Sequence, residues 1–433
     1  MNDSLRTRRE FLRTSVLGGA ISWTLPSFIH STFGVLDSLA ADSAIQTTTG
    51  KDGRILVVLQ LAGGNDGLNT VIPFADDAYH SARPKIGLPA KDVLRINDHV
   101  GLHPSLTGFQ SLLGDGRLSV IQGVGYPNPN RSHFRATEIW QTASESEQAL
   151  STGWLGRYFD NACSGEDSAC GIAISGETPQ SFANKSGKGI SFNSPQDYQF
   201  KGDLSGRNES FFEMANAAED EGGSIGMLNN SAANLMSASE NPVSFLRRTS
   251  LDAQVNTDRI QQILKRANAD ARYPNSRLAG SLRTVAKLIQ GGMPTRVYYV
   301  SQGGFDTHNN QSGAHANLMR EMNEALTAFV QDLQTQGNFE RVMLLTFSEF
   351  GRRVQENASG GTDHGAAAPM FLIGPGVKAG LVGEHPSLTD LHRGDLKHHT
   401  DFRAVYASVL ENWLQVPSEK VLGKKFKPAP IFA

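Results

Sequence analysis

Two short motifs place an aspartate and a histidine between glycines, and their residue types are the best suited to chemistry in this sequence. Residues 303–308 read Gly-Gly-Phe-Asp-Thr-His, and residues 360–365 read Gly-Gly-Thr-Asp-His-Gly. Divalent metal ions bind carboxylate oxygens and imidazole nitrogens, and glycine permits the sharp turns that aim such groups at one point. We therefore predict a metal site. The alternative is that the acids close Asx turns and the histidines serve loop structure.

Two further acidic residues stand in similar glycine-containing segments. Asp66 lies in residues 63–67, Gly-Gly-Asn-Asp-Gly, and Glu349 lies in residues 348–351, Ser-Glu-Phe-Gly. Together with the two motifs they supply ligands for one or two divalent ions, either zinc or the harder calcium and magnesium. The candidate metal ligands are Asp66, Asp306, His308, Glu349, Asp363 and His364.

A hydroxyl and two guanidinium groups complete the predicted site as candidate catalytic residues. Ser132, in the segment 130–134 (Asn-Arg-Ser-His-Phe), is either a nucleophile activated by a metal ion or the N-cap of the helix that follows. Arg131 and Arg352 are candidate partners of an oxyanion, because a guanidinium pairs bidentately with phosphate or sulfate. For His133 we expect packing, and orientation of a ligand is the alternative.

The elements that must position these residues alternate between apolar runs and amphipathic helices. Continuous apolar runs, which are typical of parallel strands buried on both faces, occur at 54–61, 118–124, 296–301, 342–347 and 370–373. Apolar residues at helical spacing occur within 318–333 and 402–413. This pattern predicts an α/β fold, a mostly parallel sheet with helices on both faces. Because ligands bind beyond the carboxyl ends of such strands, the motifs that follow them are expected to converge.

The first 40 residues resemble an export signal. Residues 7–13, Thr-Arg-Arg-Glu-Phe-Leu-Arg, match the twin-arginine pattern, and a weakly apolar stretch follows at 16–33. Small residues before Ala40 suit cleavage after that position. We therefore predict a periplasmic or secreted bacterial protein with no membrane span in the mature chain. An uncleaved membrane anchor or a chance Arg-Arg pair is the alternative.

The net charge, the arrangement of segments and the cysteine count bear on the class of protein and on its domain organisation. With 40 basic and 43 acidic residues the formal charge is -3, which argues against nucleic-acid binding. We predict a single domain over residues 41–433, with a loop-rich insertion or cap at about 160–280. Cys163 and Cys170 are either a disulfide or two unrelated buried thiols, and two cysteines are too few for a disulfide-stapled scaffold.

The order of the motifs resembles a known family. It is similar to the bacterial family called domain of unknown function 1501, within the alkaline-phosphatase/sulfatase superfamily. The segments that carry the resemblance are 61–69, 130–134, 303–308, 348–352, 362–365 and 400–406. They span essentially the whole chain after the export signal.

The resemblance implies a three-layer alkaline-phosphatase-like fold and a metal-dependent hydrolase of phosphate or sulfate esters. In that superfamily an aspartate after the first strand bridges metal and nucleophile, which implies this role for Asp66 and that of nucleophile for Ser132. It further implies that Asp306 and His308 hold one metal ion and that His364 is the last metal ligand.

Two departures from the superfamily pattern affect this expectation. Residues 348–349, Ser-Glu, stand where the superfamily has an Asp-His pair, so that a single metal or an altered ligand set stays open. The sulfatase branch converts a Cys or Ser two residues before the proline of a Pro-x-Arg segment into formylglycine. Here Pro127 occupies that position before Pro129, so we do not expect a formylglycine sulfatase.

Two functions from different classes follow. The leading hypothesis is an exported hydrolase of a small-molecule or polymer ester. The alternative is a catalytically degenerate secreted binding or assembly protein on the same fold, working with another exported protein as its partner.

Overall fold

The computed structural model describes residues 53–163, 168–194, 256–266 and 271–433. Except for Asn256 and Thr257, these residues belong to one compact unit made of 47–197 and 258–433. Within the described residues, no helix combines the length and the apolar composition that a membrane crossing requires. The predicted export signal (1–40) and the Ser/Asn-rich part of the predicted insertion (195–255) lie outside the described residues.

Sixteen strands occur in the described part of the chain, and nine of them form one central sheet. The order across this sheet is β13-β5-β12-β9-β1-β8-β6-β7, and β16 also pairs with β5. The strands are β1 (Ile55–Leu61), β2 (Val71–Ile72), β3 (Leu94–Arg95), β4 (Gly101–Leu102), β5 (Leu118–Gly125), β6 (Gly171–Ile174), β7 (Ile190–Phe192), β8 (Val297–Gln302), β9 (Val342–Phe347), β10 (Arg352–Glu356), β11 (Thr362–His364), β12 (Ala368–Ile373), β13 (Gly380–Val382), β14 (Leu391–His392), β15 (Asp395–Leu396) and β16 (Thr400–Asp401).

The described helices are of very unequal length. They are α1 (Gly67–Thr70), α2 (Asp77–Ala82), α3 (Thr107–Gly114), α4 (His133–Thr142), α5 (Trp154–Ala162), α6 (Arg277–Gln290), α7 (Gln311–Thr335), α8 (Phe402–Ser408) and α9 (Ser418–Leu422). Residues 256–266 are also helical. A π-helical turn, Val409–Trp413, continues α8, and 3-10 turns occur at Ser168–Cys170, Gln180–Phe182 and Phe339–Arg341.

Helices cover both faces of the sheet, as the sequence predicted. On one face, Leu56 and Val58 of β1 share a core with Trp140 of α4 and with side chains of α5, α8 and α9. On the other face α3, α6 and α7 pack together, and Phe109 of α3 meets Phe371 of β12 edge to face at 5.1 Å. The α/β class and the three layers are therefore confirmed.

The sheet is mostly parallel, with one exception that the sequence analysis did not predict. β1 pairs in parallel with β8 and β9, whereas β12 is antiparallel to both of its neighbours, β5 and β9. An apolar run shows that a strand is buried but says nothing of its direction. Between β9 and β12 the chain forms the β10–β11 hairpin instead of a crossover helix, so it re-enters the sheet from the edge at which it left.

The predicted insertion is in part an extension of the sheet. β6 pairs in parallel with β8 and with β7, and a disulfide between Cys163 and Cys170 joins the end of α5 to the start of β6. The strands within residues 171–192 therefore extend the central sheet. β1, β8 and β9 are adjacent and parallel, so the loops that follow them emerge at one edge of the sheet, and this edge carries the candidate site.

Candidate metal centre

The carboxylate of Asp306 stands at the centre of three imidazole rings. Its Oδ1 atom lies 3.0 Å from Nε2 of His308 and 3.2 Å from Nε2 of His364. Its Oδ2 atom lies 3.5 Å from Nε2 of His133, and the two Nε2 atoms of His308 and His364 are 3.0 Å apart. The loop after β8, the strand β11 and the start of α4 therefore meet at one point.

Each of these imidazoles is oriented through its other nitrogen. Nδ1 of His364 donates to the backbone carbonyl of Arg131 at 2.8 Å, and Nδ1 of His133 donates to Oε1 of Glu349 at 2.9 Å. Nδ1 of His308 faces a carboxylate oxygen of Asp363 at 3.5 Å. When a carbonyl or carboxylate accepts a hydrogen bond from the N–H at Nδ1, the lone pair of the neutral ring lies on Nε2. Metal-binding histidines are usually oriented in this way.

These side chains can either share a proton among themselves or bind a cation together. When one of the two rings is positive, its Nε2–H donates to the other ring or to the Asp306 carboxylate. When both rings are neutral and carry their protons on Nδ1, both Nε2 lone pairs are free for a metal ion. A tetrahedral zinc ion with ligands at about 2.0–2.1 Å separates its ligand atoms by about 3.3 Å, close to the distances found here. The donor set of imidazole and carboxylate therefore fits a divalent metal ion.

The site is open to solvent and carries a fixed negative charge. The side chains of Asp306 and His308 are 47% and 41% exposed. Partial burial raises the pKa of Asp306, but hydrogen bonds from Arg352 and His364 and the charge of Arg352 outweigh this effect and lower that pKa to about 2. Asp306 is therefore ionised at neutral pH, and a ligand can reach it from outside.

Arg352 joins the loops below the site instead of facing a substrate. Its Nε donates to the Gly64 carbonyl at 2.6 Å, and its Nη1 donates to the Thr362 carbonyl at 2.8 Å. Its Nη2 lies 2.7 Å from Oδ1 of Asp306 and also donates to the carbonyls of Gly63 and Phe305. The side chain is fully buried. We predicted that Arg352 binds an oxyanion; the structure instead gives its donors to backbone carbonyls and to Asp306.

Close packing of backbone against backbone explains the glycine in the loop after β1. Gly63 has φ +119°, and a Cβ atom built on it would lie 2.5 Å from the backbone nitrogen of Asp306. Any larger residue would push away the loop that carries Asp306.

Glu349 and Asp363 contact histidines of the group but do not themselves lie beside Asp306 in the described structure. Oε1 of Glu349 accepts from Nδ1 of His133 and from the backbone nitrogen of Gly63 at 2.8 Å, and the residue is buried. Asp363 faces His308 and accepts from Asn357 at 3.3 Å. We predicted both acids as metal ligands; in the structure they contact the Nδ1 atoms of His133 and His308 instead of Asp306.

The structure does not bring Asp66 into this group. Its Oδ2 forms an ion pair with Arg83 at 2.6 Å and accepts from the side-chain amide of Gln311. Its Oδ1 accepts from the backbone nitrogen of Leu68 and so caps α1. The buried guanidinium of Arg83 neutralises this carboxylate. The described contacts of its two oxygens are with Arg83, Gln311 and Leu68, and none is with Asp306.

A match to a protein family decides where the chain belongs. Residues 54–419 match the family model described as "Protein of unknown function (DUF1501)". The chain belongs to the DUF1501 family. The matched span contains Asp306 and the three histidines around it. No curated protein matches the sequence.

Solved structures that match this DUF1501 protein include a sulfatase, PsFucS1 from Pseudoalteromonas sp., with a TM-score of 0.37 and 10% identity over 95% of this chain and 78% of that chain. An alkaline phosphatase superfamily protein from Vibrio parahaemolyticus has a TM-score of 0.33 and 10% identity over 78% and 64%. Alkaline phosphatase from the Antarctic bacterium TAB5 has a TM-score of 0.30 and 14% identity over 75% and 92%. At these TM-scores the likeness carries no argument about activity.

Ser132 of the DUF1501 protein stands in the sequence between two residues that contact the group. It is the exposed N-cap residue of α4, and among the described residues its hydroxyl makes no capping hydrogen bond. Its two neighbours both contact the centre: Arg131 accepts from His364, and His133 faces Asp306. The guanidinium of Arg131 pairs with the buried Asp395 and keeps part of its surface exposed.

His133 is the residue of the centre that the sequence analysis did not assign correctly. We expected it to pack, and its ring does lie against Phe350 with centroids 4.9 Å apart. Its Nε2 atom nevertheless faces Asp306. The available signal was its position next to Ser132, beyond the end of β5, which matches the placement of the other motifs after strand ends.

Proposed function

We propose that this protein is an exported, metal-dependent hydrolase of phosphate or sulfate esters. The observation that carries the proposal is the convergence of three imidazole Nε2 atoms on the carboxylate of Asp306. The ester class follows from the order of the motifs, which resembles the alkaline-phosphatase/sulfatase superfamily. Export follows from the twin-arginine pattern in residues 7–13.

Three side chains would hold a divalent metal ion, His133, Asp306 and His364, whose ligand atoms lie within 4.8 Å of one another, and His308 lies beside Asp306 and His364 as a further candidate. When bound, such an ion polarises an ester oxygen and favours the deprotonated form of a nearby hydroxyl. The Nδ1 partners of the histidines keep the Nε2 atoms directed at the centre, and Arg352 keeps Asp306 ionised and in place. The donor set of nitrogen and oxygen atoms favours zinc over calcium or magnesium.

Ser132 is the proposed nucleophile. Its exposed hydroxyl stands at the N-terminus of α4, where unpaired backbone N–H groups favour an approaching anion such as phosphate or sulfate. Attack by the Ser132 oxygen forms a bond to phosphorus or sulfur and breaks the bond to the leaving alcohol oxygen, which takes up a proton from solvent as the serine proton is released to solvent. Water then cleaves the seryl ester, which releases phosphate or sulfate and restores the hydroxyl of Ser132. Arg131, partly exposed and one residue away, is placed to pair with the anion. The open site accepts a small-molecule ester or the end of a polymer.

One observation favours the second candidate, a secreted binding or assembly protein without turnover. In the superfamily pattern the aspartate after the first strand joins metal and nucleophile, but here Asp66 is paired with Arg83. A chain that has lost this contact can keep a metal-binding fold and lose its chemistry.

The test combines metal analysis of the purified protein with turnover of aryl phosphates and aryl sulfates. We expect about one metal ion per chain, and turnover that falls at least 100-fold in Asp306→Asn. Asp390→Asn is the matched control, because Asp390 is also an exposed acid in an ion pair but contacts Lys397 instead of the centre. Bound metal without turnover of either ester would favour the binding protein, and a metal-free, inert protein would contradict the proposal.

A further inference from the structure

The buried side-chain amide of Gln311 contacts segments that carry the proposed metal centre. Gln311, the first residue of α7, is completely buried. Its Nε2 donates to Oδ2 of Asp66, and its Oε1 accepts from the hydroxyls of Thr307 at 3.1 Å and Thr362 at 2.6 Å. One side chain therefore connects three separate segments of the chain.

The two threonines belong to the segments that carry the histidines. Thr307 stands between Asp306 and His308, and Thr362 is two residues before His364 on β11. The backbones of the two threonines are also joined, because the nitrogen of Thr362 donates to the carbonyl of Thr307 at 3.3 Å. The Gln311 amide thus contributes, together with this backbone hydrogen bond, to the distance between the two segments.

Asp66 fixes the orientation of that amide. Asp66 is ionised, since it pairs with Arg83 at 2.6 Å in a fully buried contact, and it can only accept hydrogen bonds. The NH2 group of Gln311 must therefore face Asp66, which turns the amide oxygen toward the threonine hydroxyls. Arg83 is itself immobilised, because it donates to the carbonyls of Arg353 and Val354 at 2.9 Å.

We infer that Gln311 is a positioning residue that sets the separation of His308 and His364, with Asp66 as its anchor instead of a metal ligand. The effect on metal affinity rests on the proposed function, whereas the effect on the histidine separation does not. A glutamine side chain suits this position because its NH2 group donates a hydrogen bond to the Asp66 carboxylate while its oxygen accepts hydrogen bonds from two hydroxyls. Residues that hold metal ligands in this indirect way commonly change metal affinity by 10–100-fold when they are replaced.

The first measurement is zinc affinity, determined on the purified full chain by competition with a chromophoric chelator. Gln311→Met keeps the length of the side chain and removes the amide, and we expect zinc to bind 10–100-fold more weakly. Thr307→Val removes one hydroxyl and is expected to weaken binding in the same direction. Thr307→Ser keeps the hydroxyl and should retain the wild-type affinity within about threefold.

Gln122→Met is the matched control for a loss of stability alone. Gln122 is also buried and also donates from its amide, to the carbonyl of Gly383 at 2.8 Å, but it does not contact a ligand segment. We expect its thermal unfolding temperature to fall while its zinc affinity stays at the wild-type value.

The second measurement does not depend on metal. Crystal structures of the metal-free wild type and of Gln311→Met give the distance between Nε2 of His308 and Nε2 of His364, which is 3.0 Å here. We expect it to grow in Gln311→Met and to stay the same in Gln122→Met. If the wild type binds no zinc but the separation is wider in Gln311→Met than in the wild type, the proposed function is removed and the positioning role is supported. An unchanged separation, or unchanged zinc affinity in Gln311→Met when the wild type does bind zinc, would overturn the inference.

Discussion

His308 and His364 face each other through their Nε2 atoms at 3.0 Å, although the Nδ1 atom of each ring already faces an oxygen. Two imidazoles at this distance either share a proton or bind a cation between them, beside the carboxylate of Asp306. The geometry of the site fits a metal ion, and this fit does not depend on any likeness to other proteins.

Replacement of Ser132 by alanine tests whether this serine acts as a nucleophile or only as a helix cap. A serine that caps a helix contributes about 1 kcal/mol, but the hydroxyl of Ser132 makes no capping hydrogen bond among the described residues. We expect Ser132→Ala to lower turnover of an aryl ester at least 100-fold and to change the free energy of unfolding by less than about 0.5 kcal/mol. Metal content should stay at the wild-type level.

The control for this variant is Ser276→Ala, at the N-cap of α6, where the hydroxyl accepts from the backbone nitrogen of Ala279. It should lose about 1 kcal/mol of stability and keep its activity. If Ser132→Ala behaves in the same way as Ser276→Ala, Ser132 is a cap and not a nucleophile.

Glu349 acts on the centre through His133, so its replacement should have a graded effect. Glu349→Gln keeps an oxygen that can accept from Gly63 or from His133 but removes the charge. We expect about 10-fold weaker zinc binding in Glu349→Gln and a larger loss in Glu349→Ala, measured by chelator competition. Equal affinity in all three proteins would show that His133 does not contribute to the metal site.

Replacement of Arg352 should lower the stability of the fold, because this side chain joins several loops. Its planar guanidinium donates hydrogen bonds to the carbonyls of Gly64, Thr362 and Phe305, and the single ammonium group of lysine cannot reproduce this geometry. We expect Arg352→Lys to lower the free energy of unfolding by about 3 kcal/mol in urea denaturation. Arg353→Lys is the neighbouring control: its side chain is partly exposed, and its unfolding should change by less than about 0.5 kcal/mol. A fully stable Arg352→Lys protein would contradict the role assigned to this residue.

Two buried histidines away from the centre should make stability depend on pH. Burial lowers the pKa of His315 to about 4 and that of His103 to about 3. Below their unfolded pKa of about 6.5 the unfolded chain binds protons that the folded chain excludes, so stability is present above that pH and is lost as the pH falls toward 4. We expect each histidine to cost about 2 kcal/mol of stability at pH 5 relative to pH 7, and urea denaturation at the two pH values measures this loss.

His103→Asn tests this assignment, because an asparagine oxygen can accept the hydrogen bond that Nδ1 of His103 takes from Ser105. The variant should lose less stability between pH 7 and pH 5 than the wild type. His99→Asn, which changes an exposed histidine, should leave the pH dependence as it is. A steep loss that persists unchanged in His103→Asn would show that other groups are responsible.

The sequence was sufficient to predict the part of the site that depends on strand ends. Glycine-framed motifs after β8 and beside β11 predicted that Asp306, His308 and His364 would meet, and the structure places them in contact. The direction of β12 could not be predicted, because a strand buried on both faces looks the same in either direction.

The remaining assignments depended on side-chain partners far away in the sequence. Asp66 is held by Arg83, 17 residues further along, and by Gln311, 245 residues further along, and no local pattern reveals such contacts. Glu349 and His133 contact each other across 216 residues, so the segment around each residue does not reveal that the two side chains meet.

X-ray absorption at the zinc edge tests the central claim most directly, since it counts the imidazole and oxygen neighbours of the bound ion. We predict nitrogen and oxygen ligands at about 2.0–2.1 Å, with one imidazole fewer in His364→Ala and one oxygen fewer in Asp306→Ala. A zinc spectrum that is identical in the wild type and in both variants would place the ion elsewhere and contradict the account.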